Sequence, residues 1–224
     1  MVEHGAALGA ILDGDGDRII FLDEKGDPIE NYFMSALISE QLFKSEPGAT
    51  VVYDLISSRV LPERIESLGG KAVVSRVGYT YLYDRMVETG AVFGAETSGH
   101  VYFKVSDSYY TESAVYAMVV VLSLLEKAGK PLSEILAPLR ARYFQAPELN
   151  IRAADKEEAL RRVKERFHDR TLSELDGVSV EYEDVWFNIR PSNTEPLIRV
   201  RLEARKQGVA ERKIAEIQEL LSGI

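Results

Sequence analysis

Asp13-Gly14-Asp15-Gly16-Asp17-Arg18 stands between two short apolar runs, Leu8-Gly9-Ala10-Ile11-Leu12 and Ile19-Ile20-Phe21-Leu22. Runs of that length bounded by Gly and Asp read as strands, so the hexapeptide is the turn that joins them. Glycine at alternate positions lets the backbone bend sharply enough for the three carboxylates to converge. Converging carboxylates repel unless a positive charge sits among them. Hard oxygen ligands of this kind suit Mg²⁺ or Ca²⁺. Two other readings of the pentad have to be weighed. In a helix–loop–helix calcium site, Asp13, Asp15 and Asp17 would take the first acidic positions and Glu24 the last. Arg18, however, stands where that loop needs glycine, and strand-like residues replace its helices. A solvated acidic turn binding nothing is the plainer alternative.

Beyond this loop the rhythm alternates. Asn31 to Phe43 has helical apolar spacing, and Val51-Val52-Tyr53 reads as a buried strand. Ser57 or Ser58 caps a helix to about Leu68, which Gly69-Gly70 ends. Ala72-Val73-Val74 reads as a strand, Thr80 to Glu88 as a helix and Val92-Phe93-Gly94 as a strand. That alternation predicts a βαβ domain with a mostly parallel sheet. A long apolar helix is expected from about Thr111 to Lys127, and a linker from Leu139 to Asn150 around Pro147. After it come an amphipathic helix (Asp155 to Phe167), strands at Val178–Tyr182, Val185–Ile189 and Ile198–Leu202, and a closing helix at Val209–Leu221. That order predicts a small α+β domain with an antiparallel sheet. The expected fold class is therefore α/β: a βαβ-type mixed-sheet domain (31–140), then an α+β domain (141–224). Residues 1–30 read as the tail of an incomplete α/β domain.

Two further loops follow strands. Gly94-Ala95-Glu96-Thr97-Ser98-Gly99-His100 offers a carboxylate that accepts and a hydroxyl that both donates and accepts, a pair suited to adjacent sugar hydroxyls. Arg190-Pro191-Ser192-Asn193-Thr194-Glu195-Pro196 offers one fixed cation and small polar side chains, a pattern suited to phosphate. Each alone reads equally well as a plain turn.

Taken in this order, the three loops resemble those of the α-D-phosphohexomutase family, of phosphomannomutase/phosphoglucomutase type. The resemblance runs through Val51-Val52-Tyr53-Asp54, Ser58-Arg59, Leu68-Gly69-Gly70 and Trp186-Phe187-Asn188 to the end of the chain. Members of that family arrange four domains around a cleft. The first carries a phosphorylated serine, and the other three carry a metal loop, a sugar loop and a phosphate loop. The resemblance implies that Asp13, Asp15 and Asp17 hold Mg²⁺ and that Arg18 lies near the phosphoserine as a catalytic residue. It implies that Glu96 and Ser98 bind sugar hydroxyls and that Arg190, Ser192, Asn193 and Thr194 bind the phosphate that is not transferred. The implied reaction interconverts hexose 1-phosphate and 6-phosphate through a bisphosphate.

The chain departs from that pattern chiefly in two ways, with Ala95, where glycine is common in the family, as a smaller third. No serine stands next to a histidine among its 224 residues, so the serine loop is absent. The expectation is a C-terminal part, inactive alone, with Mg²⁺ held weakly without the phosphoserine. Its expected partners are a hexose phosphate and either a complementary chain carrying the phosphoserine or another copy of itself. Ile56, Tyr79 and Tyr83 also stand where family members usually have Lys or Arg, His and Lys. These replacements favour the alternative of a non-catalytic sugar-phosphate-binding module. A third reading is an interaction protein that uses an unpaired sheet edge.

Composition narrows the rest. The net charge of -9 disfavours general nucleic-acid binding. With no cysteine and three histidines at no metal-ligand spacing, disulfides and a His-based zinc site are not expected. The N-terminus has no signal-peptide pattern, and the longest apolar run, Ala114 to Leu125, is shorter than the about 20 residues a membrane helix needs. The expected location is the cytoplasm. Glucose and mannose enzymes share these loops, so the residues do not choose between the sugars.

Overall fold

A computed structural model describes residues 1–192 and 194–224, which form two compact units, Met1–Arg140 and Ala141–Ile224.

In the first unit, β1 (Gly9–Leu12) and β2 (Ile19–Leu22) pair antiparallel, Leu12 opposite Ile19, and β3 (Pro28–Ile29) adds to β2. The acidic loop is thus the turn of a hairpin, and strands rather than helices flank it. Helix α1 (Asn31–Leu42) follows, with Asn31 to Ser39 all buried. A helix buried all round needs its polar groups answered internally. Ser35 and Ser39 comply by donating their hydroxyls to the carbonyls of Asn31 and Ser35, each at 2.7 Å.

The main sheet has the order β5 (Lys71–Ser75), β4 (Thr50–Asp54), β6 (Phe93–Ala95), β7 (Val101–Ser106), β8 (Tyr109–Glu112). Strand β4 runs parallel to β5 and β6, connected through α2 (Val60–Ser67) and α3 (Tyr79–Thr89). Strands β7 and β8 are antiparallel. The sheet is therefore mixed, as the expected fold class has it, with two parallel and two antiparallel pairings. The hairpin β7–β8 was hidden because half-exposed strand residues run straight into the next helix. Thr111 and Glu112 pair with Phe103 and Tyr102, so α4 begins at Ala114 and ends at Ala128. Its cap is Ser113, whose hydroxyl accepts the Tyr116 N–H at 3.1 Å. The expected linker is partly structured too. Helix α5 (Leu132–Arg140) is followed by β9 (Phe144–Gln145), which pairs with Glu203 and Ala204.

In the second unit, β10 (Leu149–Arg152), β14 (Leu197–Ala204), β13 (Val185–Pro191), β12 (Val178–Glu181) and β11 (Thr171–Ser173) form an antiparallel sheet in that order. Helices α6 (Lys156–Arg166) and α7 (Gln207–Leu220) complete it, and Phe167, Phe187, Val163 and Ile217 bury fully in its core. Asp155 caps α6 by accepting the N–H groups of Glu157 and Glu158. Among the described residues no helix is long and apolar enough to cross a membrane.

Candidate functional site

The turn between β1 and β2 brings one oxygen each of Asp13, Asp15 and Asp17 within 4.8 Å of one another. Asp13 and Asp15 are exposed, whereas Oδ1 of Asp17 is buried and accepts no hydrogen bond among the described residues. Arg18 folds back over the turn. Its N–H donates to Asp13 Oδ1 at 3.2 Å, and its Nε lies 3.2 Å from Asp13 Oδ2 and 4.0 Å from Asp17 Oδ1. Partial desolvation would raise the Asp13 carboxyl, but the Arg18 amide and guanidinium outweigh it and hold the group below the usual carboxylate range. Three hard oxygen donors, one of them buried and without a hydrogen bond among the described residues, fit a small divalent cation such as Mg²⁺.

A second turn is stitched to this one. Arg18 and His100 form an isolated antiparallel bridge, and Ile19 N–H donates to Gly99 O at 3.1 Å. Gly99 has φ +103°, and a Cβ there would lie 3.0 Å from both Ile19 O and Asn31 Nδ2. Only glycine allows this approach without strain. His100 Nδ1 then sits 3.6 Å from Asp17 Oδ2 and 3.5 Å from Glu112 Oε2. In the sequence His100 is only the last residue of its motif, and Glu112 falls within the expected helix from about Thr111, whereas it pairs with Tyr102 in β8.

The turn itself is closed by Glu96 N–H to His100 O at 2.9 Å and Gly99 N–H to Glu96 O at 3.1 Å. The Glu96 residue is 4% exposed, and its Oε1 accepts the Gly78 N–H, at the start of α3, at 2.9 Å. Burial pushes the Glu96 carboxyl upward, the Gly78 N–H opposes this, and the nearby Asp54 charge adds to the rise. Ser98 is exposed two residues on. One carboxylate oxygen is thus fixed by the protein, and an adjacent hydroxyl faces solvent.

Tyr79 and Tyr83 both lie in α3. Tyr79 opens the helix and is 60% exposed. Tyr83, one turn on, is half-buried with its ring 6.0 Å from that of Tyr110. Ile56 is half-buried in the turn after β4.

In the second unit, β13 carries Arg190, whose Nη1 lies 3.9 Å from Asp176 Oδ2. Ser192 is buried: its N–H donates to Leu197 O at 2.9 Å, and its Oγ accepts the Glu195 N–H at 3.3 Å. Thr194 is exposed. Asn193 lies outside the described residues. Sequence reasoning missed Lys156, whose ammonium donates to Ser192 O at 2.8 Å and so ties the start of α6 to the loop. Its only signal was a cation immediately after the cap Asp155.

Residues 30–143 match the family described as phosphoglucomutase/phosphomannomutase, alpha/beta/alpha domain III, and residues 148–220 match the C-terminal domain of the same family. The chain belongs to the phosphoglucomutase/phosphomannomutase family. It is 39% identical over 220 residues to a phosphomannomutase of Methanocaldococcus jannaschii, covering 98% of this chain and 48% of that one. It is 34% identical to a phosphomannomutase of Escherichia coli K12, covering 92% of this chain and 45% of the relative. A solved phosphoglucomutase/phosphomannomutase family protein of Burkholderia thailandensis superposes with a TM-score of 0.84 at 28% identity, covering 96% of this chain and 46% of that one. The chain thus spans about half the length of the curated relatives it matches.

Proposed function

We propose that the chain is the hexose-phosphate-binding C-terminal part of a phosphohexomutase that interconverts hexose 1-phosphate and 6-phosphate. The observation that carries this reading is the turn 96–100, with Glu96 held by Gly78, Ser98 exposed, and its glycine hydrogen-bonded to the strand that follows the acidic loop. Glu96 and Ser98 take the sugar hydroxyls. Arg190, Ser192, Asn193 and Thr194 take the phosphate that stays in place. Ser192 can offer a phosphate its hydroxyl proton while its oxygen keeps the Glu195 N–H. The relatives' names, phosphomannomutase and phosphohexose mutase, support a hexose phosphate as ligand.

Phosphoryl transfer depends on neutralising charge and on alignment. Asp13, Asp15 and Asp17 would hold Mg²⁺, which when bound supplies the neutralising charge. Arg18 stays beside Asp13 and adds a fixed cation at the same turn. Contacts to a sugar and to its phosphate are of the kind that align a reacting oxygen. These 224 residues lack the serine loop, so turnover is expected only with a polypeptide that carries the phosphoserine. Domain limits of 1–30, 31–140 and 141–224 follow the assignment of one loop to each domain. Lack of cysteine is compatible with a reducing compartment such as the cytoplasm.

Tyr83 favours a second reading, because its ring packs against Tyr110 and carries no cation. A module that binds hexose phosphate without transferring it would have this residue. Two measurements separate the readings. Calorimetric titration with glucose 1-phosphate and mannose 1-phosphate in Mg²⁺ should give binding that Arg190→Ala weakens about tenfold or more. Addition of a phosphoserine-bearing polypeptide should then give mutase turnover. Binding without turnover favours the module, and no binding by the wild-type chain contradicts both.

A further inference from the structure

Asp54, at the end of β4, is buried to 1% exposure and has no part in the chemistry described above. A carboxylate in that position is costly unless its oxygens are fully engaged. Oδ2 accepts the Thr97 N–H at 2.7 Å. Oδ1 accepts the Thr97 hydroxyl at 2.9 Å and the Ser57 hydroxyl at 2.7 Å. The Thr97 carbonyl accepts the side-chain amide of Asn31 at 3.1 Å. Every polar group of Thr97 is thus engaged, and Thr97 is the residue between Glu96 and Ser98.

We propose that Asp54 is the positioning residue of the sugar loop: its carboxylate clamps Thr97 and Ser57 to the end of β4, so that Glu96 and Ser98 are set for a sugar before one arrives. The function of the clamp rests on the reading of Glu96 and Ser98 as sugar contacts. Preset contacts cost less ordering on binding. A carboxylate suits the task because it only accepts. Asparagine would place a donor against the Thr97 N–H or against the two hydroxyls and leave a buried donor unanswered. The same clamp fixes the turn after β4, which carries Ile56, relative to the sugar loop.

The test uses the full chain and three variants, Asp54→Asn, Thr97→Val and Thr97→Ser. Amide hydrogen exchange is followed at Thr97 and at Val73 in β5, without ligand. Asp54→Asn should speed exchange at Thr97 about tenfold or more while Val73 stays protected. Thr97→Val keeps the main-chain bond and loses the hydroxyl, so it should show a smaller increase, and Thr97→Ser should restore wild-type exchange. Glucose 1-phosphate affinity should follow the same order, with inorganic phosphate affinity unchanged. Affinity should also persist to lower pH in Asp54→Asn. The Glu96 carboxyl then loses the Asp54 charge that helps raise it, while His100, Glu112 and the Gly78 N–H still face it.

Unchanged exchange at Thr97 in both Asp54→Asn and Thr97→Val overturns the proposal. So does an increase shared equally by Val73, which reports general loosening. If the wild-type chain binds no hexose phosphate, the sugar-contact reading fails, and the exchange data still decide whether Asp54 positions the loop. Should Asp54→Asn fail to fold, the Thr97→Val and Thr97→Ser pair decides alone.

Discussion

In the turn 96–100, Thr97 has no polar group left over, Glu96 is buried, and one of its oxygens is already bonded to Gly78. In the acidic loop, one hydrogen bond away, Asp13 and Asp15 are exposed and Asp17 has a buried oxygen without a hydrogen bond among the described residues. Arg18 alone brings a guanidinium to the three carboxylates among the described residues. The first loop is fixed by neutral and charge-assisted hydrogen bonds that need no ligand. The second is a set of like charges whose geometry improves when a cation joins them. Under the proposed function, aligning a sugar calls for a loop of the first kind and neutralising a phosphoryl group for one of the second. Rigidity serves alignment, and concentrated negative charge serves a metal.

Gly99 is where the two loops meet, so its substitution should have the largest effect. In Gly99→Ala the new Cβ lies 3.0 Å from Ile19 O at φ +103°, and the cost is about 1–3 kcal/mol. Thermal unfolding should register that loss, and both Mg²⁺ and glucose 1-phosphate binding should weaken. A variant that loses only one of the two would show that the loops are independent.

Glu96→Gln separates function from stability. Glucose 1-phosphate affinity should fall about tenfold or more, because a hydrogen bond to a charged group is lost. Stability should move the other way. The folded-state carboxyl is raised above its unfolded value, so its favourable contribution is complete below the unfolded pKa and is lost as pH rises through the folded one. Ionised Glu96 therefore burdens the fold at neutral pH. Glutamine, which can still accept the Gly78 N–H, should raise the Tm at pH 7 and change it little near pH 4. A drop in Tm at pH 7 would show that the charge supports the fold.

Asp17→Asn should weaken Mg²⁺ binding about tenfold, and Asp15→Asn should weaken it less, because of the three carboxylates Asp17 alone carries a buried oxygen without a hydrogen bond among the described residues. Equal effects would mean that the three carboxylates act simply as pooled charge. The smallest effect belongs to Ser98→Ala. It removes one exposed neutral hydroxyl and should cost hexose-phosphate affinity about 0.5–1.5 kcal/mol, leaving Mg²⁺ affinity and Tm unchanged.

Local signals made much of this legible. Strand, glycine-rich turn, strand could be read around Asp13 to Arg18, because apolar runs and glycine carry that information within a few residues. The α1, β4, α2, β5 and α3 succession could be read for the same reason. The β7–β8 hairpin could not, because Tyr109 to Glu112 runs without a break into the apolar helix that Ser113 caps. Contacts distant in sequence were equally hidden. Asp54 reads as a polar strand end until Thr97, 43 positions later, folds onto it. His100 reads as the end of a motif until the antiparallel bridge with Arg18 sets it between Asp17 and Glu112. Lys156 reads as an ordinary first-turn lysine until it reaches Ser192.

The most direct measurement is a ¹⁵N NMR titration of the chain with glucose 1-phosphate in Mg²⁺. The expected result is saturable shifts at the amides of Glu96 to His100 and at those of Arg190, Ser192 and Thr194, with the core amides of β4 and β12 unmoved. Saturable shifts confined to other surfaces, or none at all, would contradict the assignment of these loops to a hexose phosphate.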